Sequence, residues 1–300
     1  MKINMIRSDK VYQEMLELPL EKREGCFRAK ILAPFAMKYQ TQHIPLKAKY
    51  PGGFDALFLL GFMNQLPGTL SEKDRPAIDS LSSDQLWQDC QDTIKRSIGL
   101  FEQAGYDLDV EDYHFTILLG NPEKPMLQLN KGYSGDGGIP GYLMLSLLPN
   151  DYTLPRVQAA LAHECNHNVR FQFIKWNQQT TLADWVVSEG LAESFAAELY
   201  GKDLIGPWVT STSPEQLEEI KPIISSQLQL TGMAEMAPYL YGDEIAKIQG
   251  QMPVGMPYAA GYAYGYHLIQ AYLKRTGKSI VEATVTPTEE ILEATKDFWK

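Results

Sequence analysis

Five consecutive residues, His163-Glu164-Cys165-Asn166-His167, set two imidazoles four positions apart with a carboxylate directly after the first. On a helix, positions four apart share one face, so both imidazoles can reach one metal ion. Glu164 then stands beside that ion, where it can take a proton from a bound water. A metal brings the pKa of such a water down to about 7 in good zinc sites, which makes it a nucleophile near neutral pH. The spacing therefore points to metal-assisted hydrolysis. The chain has only five histidines (His43, His114, His163, His167 and His267), so a close pair is an uncommon feature of it. The plain alternative is a pair of histidines on an ordinary helix.

The helix that must carry the pair is predicted over residues 155–173. Pro155 suits a first helical turn, where its missing N–H is not needed. Val157, Leu161, Cys165 and Val169 form an apolar side, and Ala160, His163, His167 and Arg170 form a different stripe. A second helix is predicted over 182–200, with Thr181 as its cap, Asp184 in its first turn and Gly201 as its stop. Leu182, Val186, Glu189, Glu193, Ala196 and Tyr200 recur along it at helical spacing. Two carboxylates thus lie on a mainly apolar face. Burying an unpaired carboxylate is costly, so a cation is expected near them. A metal held by the two histidines would serve. So would Arg170 and Lys175, or a solvated groove. A di-iron carboxylate bundle needs two Glu-x-x-His pairs on helices. Glu164 and His167 make one, but Glu111 and His114 fall where the chain reads as strand.

Before these helices the period changes from 3.6 to 2. Residues 112–119 are rich in aromatic and branched side chains and read as a strand, 126–129 as a second short strand, and 142–148 as a third. Together they predict a small sheet beside the histidine helix, with an edge that could hold an extended peptide or simply pack. Residues 1–105 read as mostly helical, with segments at 26–39, 52–63 and 82–104. Farther on, helices are expected at 215–228 and 235–248, and a closing helix at 286–299. Between them, Tyr258, Tyr262 and Tyr266 recur every fourth position, with Gly261 and Gly265 interleaved. Glycine weakens a helix, so these two predict close packing against another helix or a ligand. A phenol or imidazole here could stabilise an oxyanion formed when water attacks a carbonyl, Tyr262 first and His267 second. An aromatic packing stripe is the alternative.

Composition narrows the choices. At 300 residues, 44% hydrophobic and 21% charged, the chain suits an ordinary soluble globule of one large domain or two close lobes. Its net charge of −10 argues against nucleic acid or an anionic membrane as partner. The three cysteines, Cys26, Cys90 and Cys165, make no disulfide framework and suit a reducing compartment. No apolar run reaches the length of a membrane span and the first residues carry no cleavage signal, so a cytoplasmic protein is expected.

HECNH followed by SEGLAESFAAELYG resembles the gluzincin branch of zinc metallopeptidases. More closely, residues 110–275 are similar to a bacterial family of predicted zinc-dependent proteases, the YjaZ-like group. Its Glu-Gly-Leu-Ala-Glu motif stands at Glu189 to Glu193 and its Gly-Tyr-x-x-Gly-Tyr segment at Gly261 to Tyr266. The resemblance implies an α+β, predominantly helical, zincin-like metallopeptidase fold, with a helical region at 1–105 and a peptidase domain at 106–300. It implies zinc as cofactor, a peptide or protein as substrate, His163, His167 and Glu189 as ligands, and Glu164 as general base. Glu193 matches the acid that holds a ligand histidine in the right tautomer. Two positions depart from gluzincin aminopeptidases: Ser188 stands in place of Asn, and Asp136 is the lone acid in the loop 135–141. A zinc-binding regulatory protein without catalysis is the alternative function.

Overall fold

The computed structural model describes residues 1–299. The chain divides into two compact units, residues 1–96 with 109–161, and residues 97–108 with those from 162 onward. It is predominantly helical with one small mixed sheet, an α+β composition. No helix among the described residues is long and apolar enough to cross a membrane.

The sheet belongs to the first unit. Its strands are β1 (Lys2–Met5), β2 (Asp112–Leu119), β3 (Tyr133–Asp136) and β4 (Tyr142–Leu147), in the order β1-β2-β4-β3. β1 and β4 run parallel to β2, and β3 runs antiparallel to β4 at the edge. Central β2 is buried on both faces, with Phe115 and Ile117 on one and Thr116 and Leu118 on the other. A strand covered on both sides reads as a near-continuous apolar run, as this one does. Helix Ser8–Glu17 packs on it, and the Tyr12 hydroxyl accepts from the Leu119 N–H at 3.1 Å.

Three expectations in this unit are corrected. β1 lies in the stretch read as helical, because its partner strand is over 100 residues away and no local pattern announces it. Residues 126–129 form a short helix, Pro125–Leu129, since Pro125 at its first position presets the helical φ. The missing strand is β3, a few residues later. In the segment 26–39, Phe27, Ile31 and Phe35 are fully buried as their spacing predicts. The chain passes Pro34 by switching from α-helix to a π-turn (Arg28–Leu32) and then a 3-10 turn (Ala33–Phe35), which absorbs the lost N–H donor.

The second unit is a helical assembly around two long elements, the histidine helix (Val157–Phe173, whose first turn belongs to the first unit) and the glutamate helix (Leu182–Tyr200). The glutamate helix starts in a reciprocal cap between Thr181 and Asp184 and ends at Gly201 with φ 94°. Its first two N–H groups donate to Leu230 and Leu228 carbonyls at 2.8 and 2.9 Å. Phe101 stacks on its Phe195 at 5.6 Å. Corrections here follow from glycine and proline. Tyr258 precedes the tyrosine helix (Ala260–Thr276), whose start is marked by Ala259 in the left-handed region. Residues 235–248 form two helices, Met233–Tyr241 and Asp243–Ile248, split at Gly242 rather than at Pro238. The closing segment 286–299 is two short helices, Thr288–Ala294 and Lys296–Trp299, and a third, Ile280–Val285, precedes it.

The glutamate and tyrosine helices meet backbone to backbone. A methyl on Gly190 would collide with the Gly265 carbonyl, and one on Gly265 with the Val186 carbonyl. Gly261 approaches Leu240, with only 2.7 Å from an added Cβ to its Cα. These contacts explain why glycines sit inside a helix at a cost of up to ~1 kcal/mol each. Gly190→Ala or Gly265→Ala should therefore destabilise the fold by at least ~2 kcal/mol in chemical denaturation, because the colliding atoms are main chain and cannot rotate aside. Gly99→Ala, whose added Cβ meets nothing nearer than 3.8 Å, should be neutral or slightly stabilising. Equal effects at all three positions would refute the crossing.

Candidate metal centre

One turn of the histidine helix separates His163 from His167 and turns both rings toward the glutamate helix. His163 Nε2 and His167 Nε2 lie 3.1 Å apart, and Glu189 Oε2 lies 3.2 Å from each. Ligand atoms around a tetrahedral zinc with bonds of about 2.0–2.1 Å are separated by about 3.3 Å. The three atoms thus form nearly the face that such an ion requires, and the donor set of two imidazoles and a carboxylate suits zinc. All three residues are buried. This is the one cluster of histidine, cysteine or acidic side chains, among the described residues, fit to hold a metal ion.

Each donor is held by a further contact. His163 Nδ1 lies 2.8 Å from Glu193 Oε2. That same oxygen accepts from the Trp208 indole N–H at 2.7 Å, and Glu193 Oε1 accepts from the Gly206 N–H at 2.5 Å. Gly206 must lack a side chain, since a Cβ there would run into the Trp208 indole. His167 is set differently, by stacking flat on Phe171 at 5.7 Å with 5° between the rings. Glu189 accepts from the Trp185 indole N–H at 3.3 Å through its other oxygen. Sequence reading missed Gly206, Trp208 and Trp185. The tripeptide Gly206-Pro-Trp208 was the available signal, but nothing in it names Glu193 as its partner.

The charges explain each titration. Burial works against a charged His163, but hydrogen bonding to Glu189 and Glu193 outweighs it and raises the imidazole well above its usual value. Burial also opposes a charged Glu189, yet the neighbouring His167 and His163 bring its carboxyl down to about 2. The field that would hold a dication here holds a proton on His163. Tyr262 is pushed far up, first by burial and then by the carboxylate of Glu189, with Glu164 also contributing, so its phenol stays protonated. His267 is lowered by burial and by Lys221. Five positions on from Tyr262, it lies about 140° round the helix, and its surroundings are not those of the cluster.

Arg170 does not pair with either glutamate. It is fully buried, and donates to Ser188 Oγ, to the carbonyls of Thr284 and Thr286 and to Thr288 Oγ1, at 2.8–3.1 Å. Burial lowers it to about 10, so it remains charged. Ser188, the departure from the aminopeptidase pattern, is thus an anchor for this guanidinium. Asp136, the other departure, closes an ion pair with buried Lys38 at 2.8 Å within the first unit. Cys165 is fully buried. His114 is on β2, with its Nε2 3.5 Å from Asn4 Nδ2, and the described residues hold no second Glu-x-x-His pair on a helix.

Residues 86–293 match a family model described as predicted Zn-dependent protease (DUF2268). The uncharacterized protein YjfC of Bacillus subtilis (strain 168) is 34% identical over 293 residues, covering 97% of both chains. The uncharacterized protein YjaZ of the same organism is 27% identical over 155 residues, covering 50% of this chain and 55% of that one. No solved structure matches the chain.

A zinc ion held by this cluster would have to displace the proton on His163. Because the folded imidazole is raised, zinc affinity by chelator competition should keep climbing as pH rises past the ordinary imidazole value of about 6.5. The metal-free chain should behave oppositely. A raised folded pKa adds stability that is complete below the unfolded value of about 6.5 and is lost as pH rises through the folded one. Its Tm should fall on that side, and a zinc affinity that stops climbing at the ordinary imidazole value would contradict the assignment.

Proposed function

This chain belongs to the predicted Zn-dependent protease family DUF2268, and from that premise and the His163–His167–Glu189 triangle we propose that it is a zinc-dependent peptidase with a zincin-like, gluzincin-type site. His163, His167 and Glu189 would hold the ion. Zinc bound there supplies a Lewis acid that lowers the pKa of a water to about 7 and polarises a carbonyl. Glu164 takes the proton of the attacking water and delivers it to the leaving amine. Glu193, fixed by Gly206 and Trp208, keeps the proton of His163 on Nδ1 and its Nε2 lone pair toward the ion. Tyr262 stays protonated beside Glu189 and Glu164 and donates to the oxygen that becomes negative. The observation that carries the reading is the near-equilateral triangle of donor atoms together with the carboxylate already seated on His163 Nδ1.

A purely structural zinc would ask for four protein ligands, often thiolates. The cluster offers three, and Cys165 lies on the helix stripe opposite the pair, which favours an open position for catalysis over the regulatory alternative. The substrate is a peptide or protein. Three cysteines without a disulfide suit the cytoplasm as the place of action.

Two substitutions separate the roles. Glu164→Gln should keep zinc at one equivalent by metal analysis while lowering kcat by at least ~10². Tyr262→Phe should lower kcat by a similar ~10² and leave KM nearly unchanged, since the hydrogen bond is made only as the oxygen gains charge. Full peptide hydrolysis in the Gln variant would rule out the mechanism.

A further inference from the structure

The two oxygens of Glu189 are held in different ways. Oε2 faces the imidazoles, 3.2 Å from each Nε2. Oε1 accepts from the Trp185 indole N–H at 3.3 Å. Trp185 and Glu189 stand four apart on the glutamate helix, so their side chains share one face and the indole can reach the carboxylate.

The indole is itself held. It is buried, and two rings meet it nearly at right angles, Trp176 at 5.4 Å and 86° and Tyr241 at 5.5 Å and 88°. Edge-to-face contact is a favoured aromatic geometry, so both rings resist rotation of the indole. Tyr241 in turn is fixed by main chain. Its carbonyl accepts from the Ala259 N–H at 2.8 Å, and a Cβ on the neighbouring Gly242 would strike the Pro257 carbonyl. The N–H is thus aimed at Oε1 by packing that does not involve the imidazoles.

A carboxylate can bind a metal ion through one oxygen or through both. With both oxygens of Glu189 on the ion, two imidazoles and one carboxylate would supply four donor atoms and fill a tetrahedral site. With one oxygen they supply three, and the fourth position is left for water, the condition of a catalytic zinc site. The hydrogen bond on Oε1 opposes the first arrangement and permits the second.

Resting on the zinc reading above, though not on hydrolysis itself, we propose that Trp185 is a positioning residue that makes Glu189 a one-oxygen ligand: its N–H keeps Oε1 off the ion, and one coordination position stays open. A plain packing role for the indole is the alternative.

The test uses the full-length chain with cobalt(II) in place of zinc, because the visible bands of cobalt(II) are intense with four ligands and weak with five or six. The native chain should give intense bands. Trp185→Phe keeps a ring but has no N–H, so Oε1 is released to join the ion. Its bands should fall at least ~3-fold with cobalt still at one equivalent. With zinc, its kcat on a peptide should drop at least ~10-fold while KM stays within ~2-fold. Trp176→Leu, at a ring 37% exposed, keeps the N–H but loosens the indole, and its bands should fall by a smaller factor. Circular dichroism and Tm of the metal-free chains report whether the fold is kept. Weak bands in the native chain overturn the proposal, and so do unchanged bands in a folded Trp185→Phe, which a packing role would give. If Trp185→Phe does not fold, Trp176→Leu decides, and unchanged bands there overturn it. If the bands fall as expected while no peptide is hydrolysed by the native zinc form, the role of the indole stands and the peptidase reading fails.

Discussion

Two carboxylates, Glu189 and Glu193, are buried one turn apart on a helix whose buried side chains are mostly apolar. An ion taken out of water loses several kcal/mol of solvation, and the loss is recovered only by close opposite charge and by hydrogen bonds on its remaining lone pairs. The surroundings of both acids are organised to that end. Each oxygen of Glu193 has an N–H donor, and one of them also meets His163. Glu189 has an indole on one oxygen and two imidazoles on the other. The arrangement satisfies every acceptor of Glu193 but leaves the charge of Glu189 to be balanced by whatever cation the two histidines share. Metal affinity and fold stability are in this sense one quantity in this chain.

Such a cluster tolerates little movement, and the packing around it is rigid in kind. At Gly190 the glutamate helix meets the main chain of the tyrosine helix, one residue after Glu189. At Ser188, one residue before it, Arg170 ties the same helix to the histidine helix. Glu189 is thus bracketed by a backbone contact and a buried guanidinium. Small errors in the crossing would move Glu189 Oε2 off the bisector of the two imidazoles. The half-buried aromatic rings outside this frame add a lower-dielectric wall, which strengthens each electrostatic contact inside it.

Much of this was legible in the residues themselves. The pair His163 and His167 follows from a spacing of four, and the stripe containing Glu189 and Glu193 from the same period, because both are local properties of one helix. The caps at Thr181 and Gly201 are likewise local. The close approach implied by Gly261 and Gly265 could be anticipated, but not that Gly190 would be the partner of Gly265, since the contact joins residues 75 apart in sequence. β1 is invisible for a similar reason, its pairing with β2 being parallel and distant. The strand expected at 126–129 failed because apolar composition alone does not separate a short strand from a helical turn, and Pro125 decided the matter. Gly206 and Trp208 could not be assigned, because a glycine and an indole acquire meaning only beside the carboxylate they hold.

The acceptors of Arg170 carry a consequence for the order of events on the ribosome. Three of the four lie at Thr284, Thr286 and Thr288, more than a hundred residues downstream of the guanidinium, and Asn166 also reaches to Thr284. A nascent chain that already contains both histidines and both glutamates still has a bare buried cation between its two principal helices. The centre can acquire these struts only after those threonines have emerged from the exit tunnel, more than a hundred residues behind the histidines.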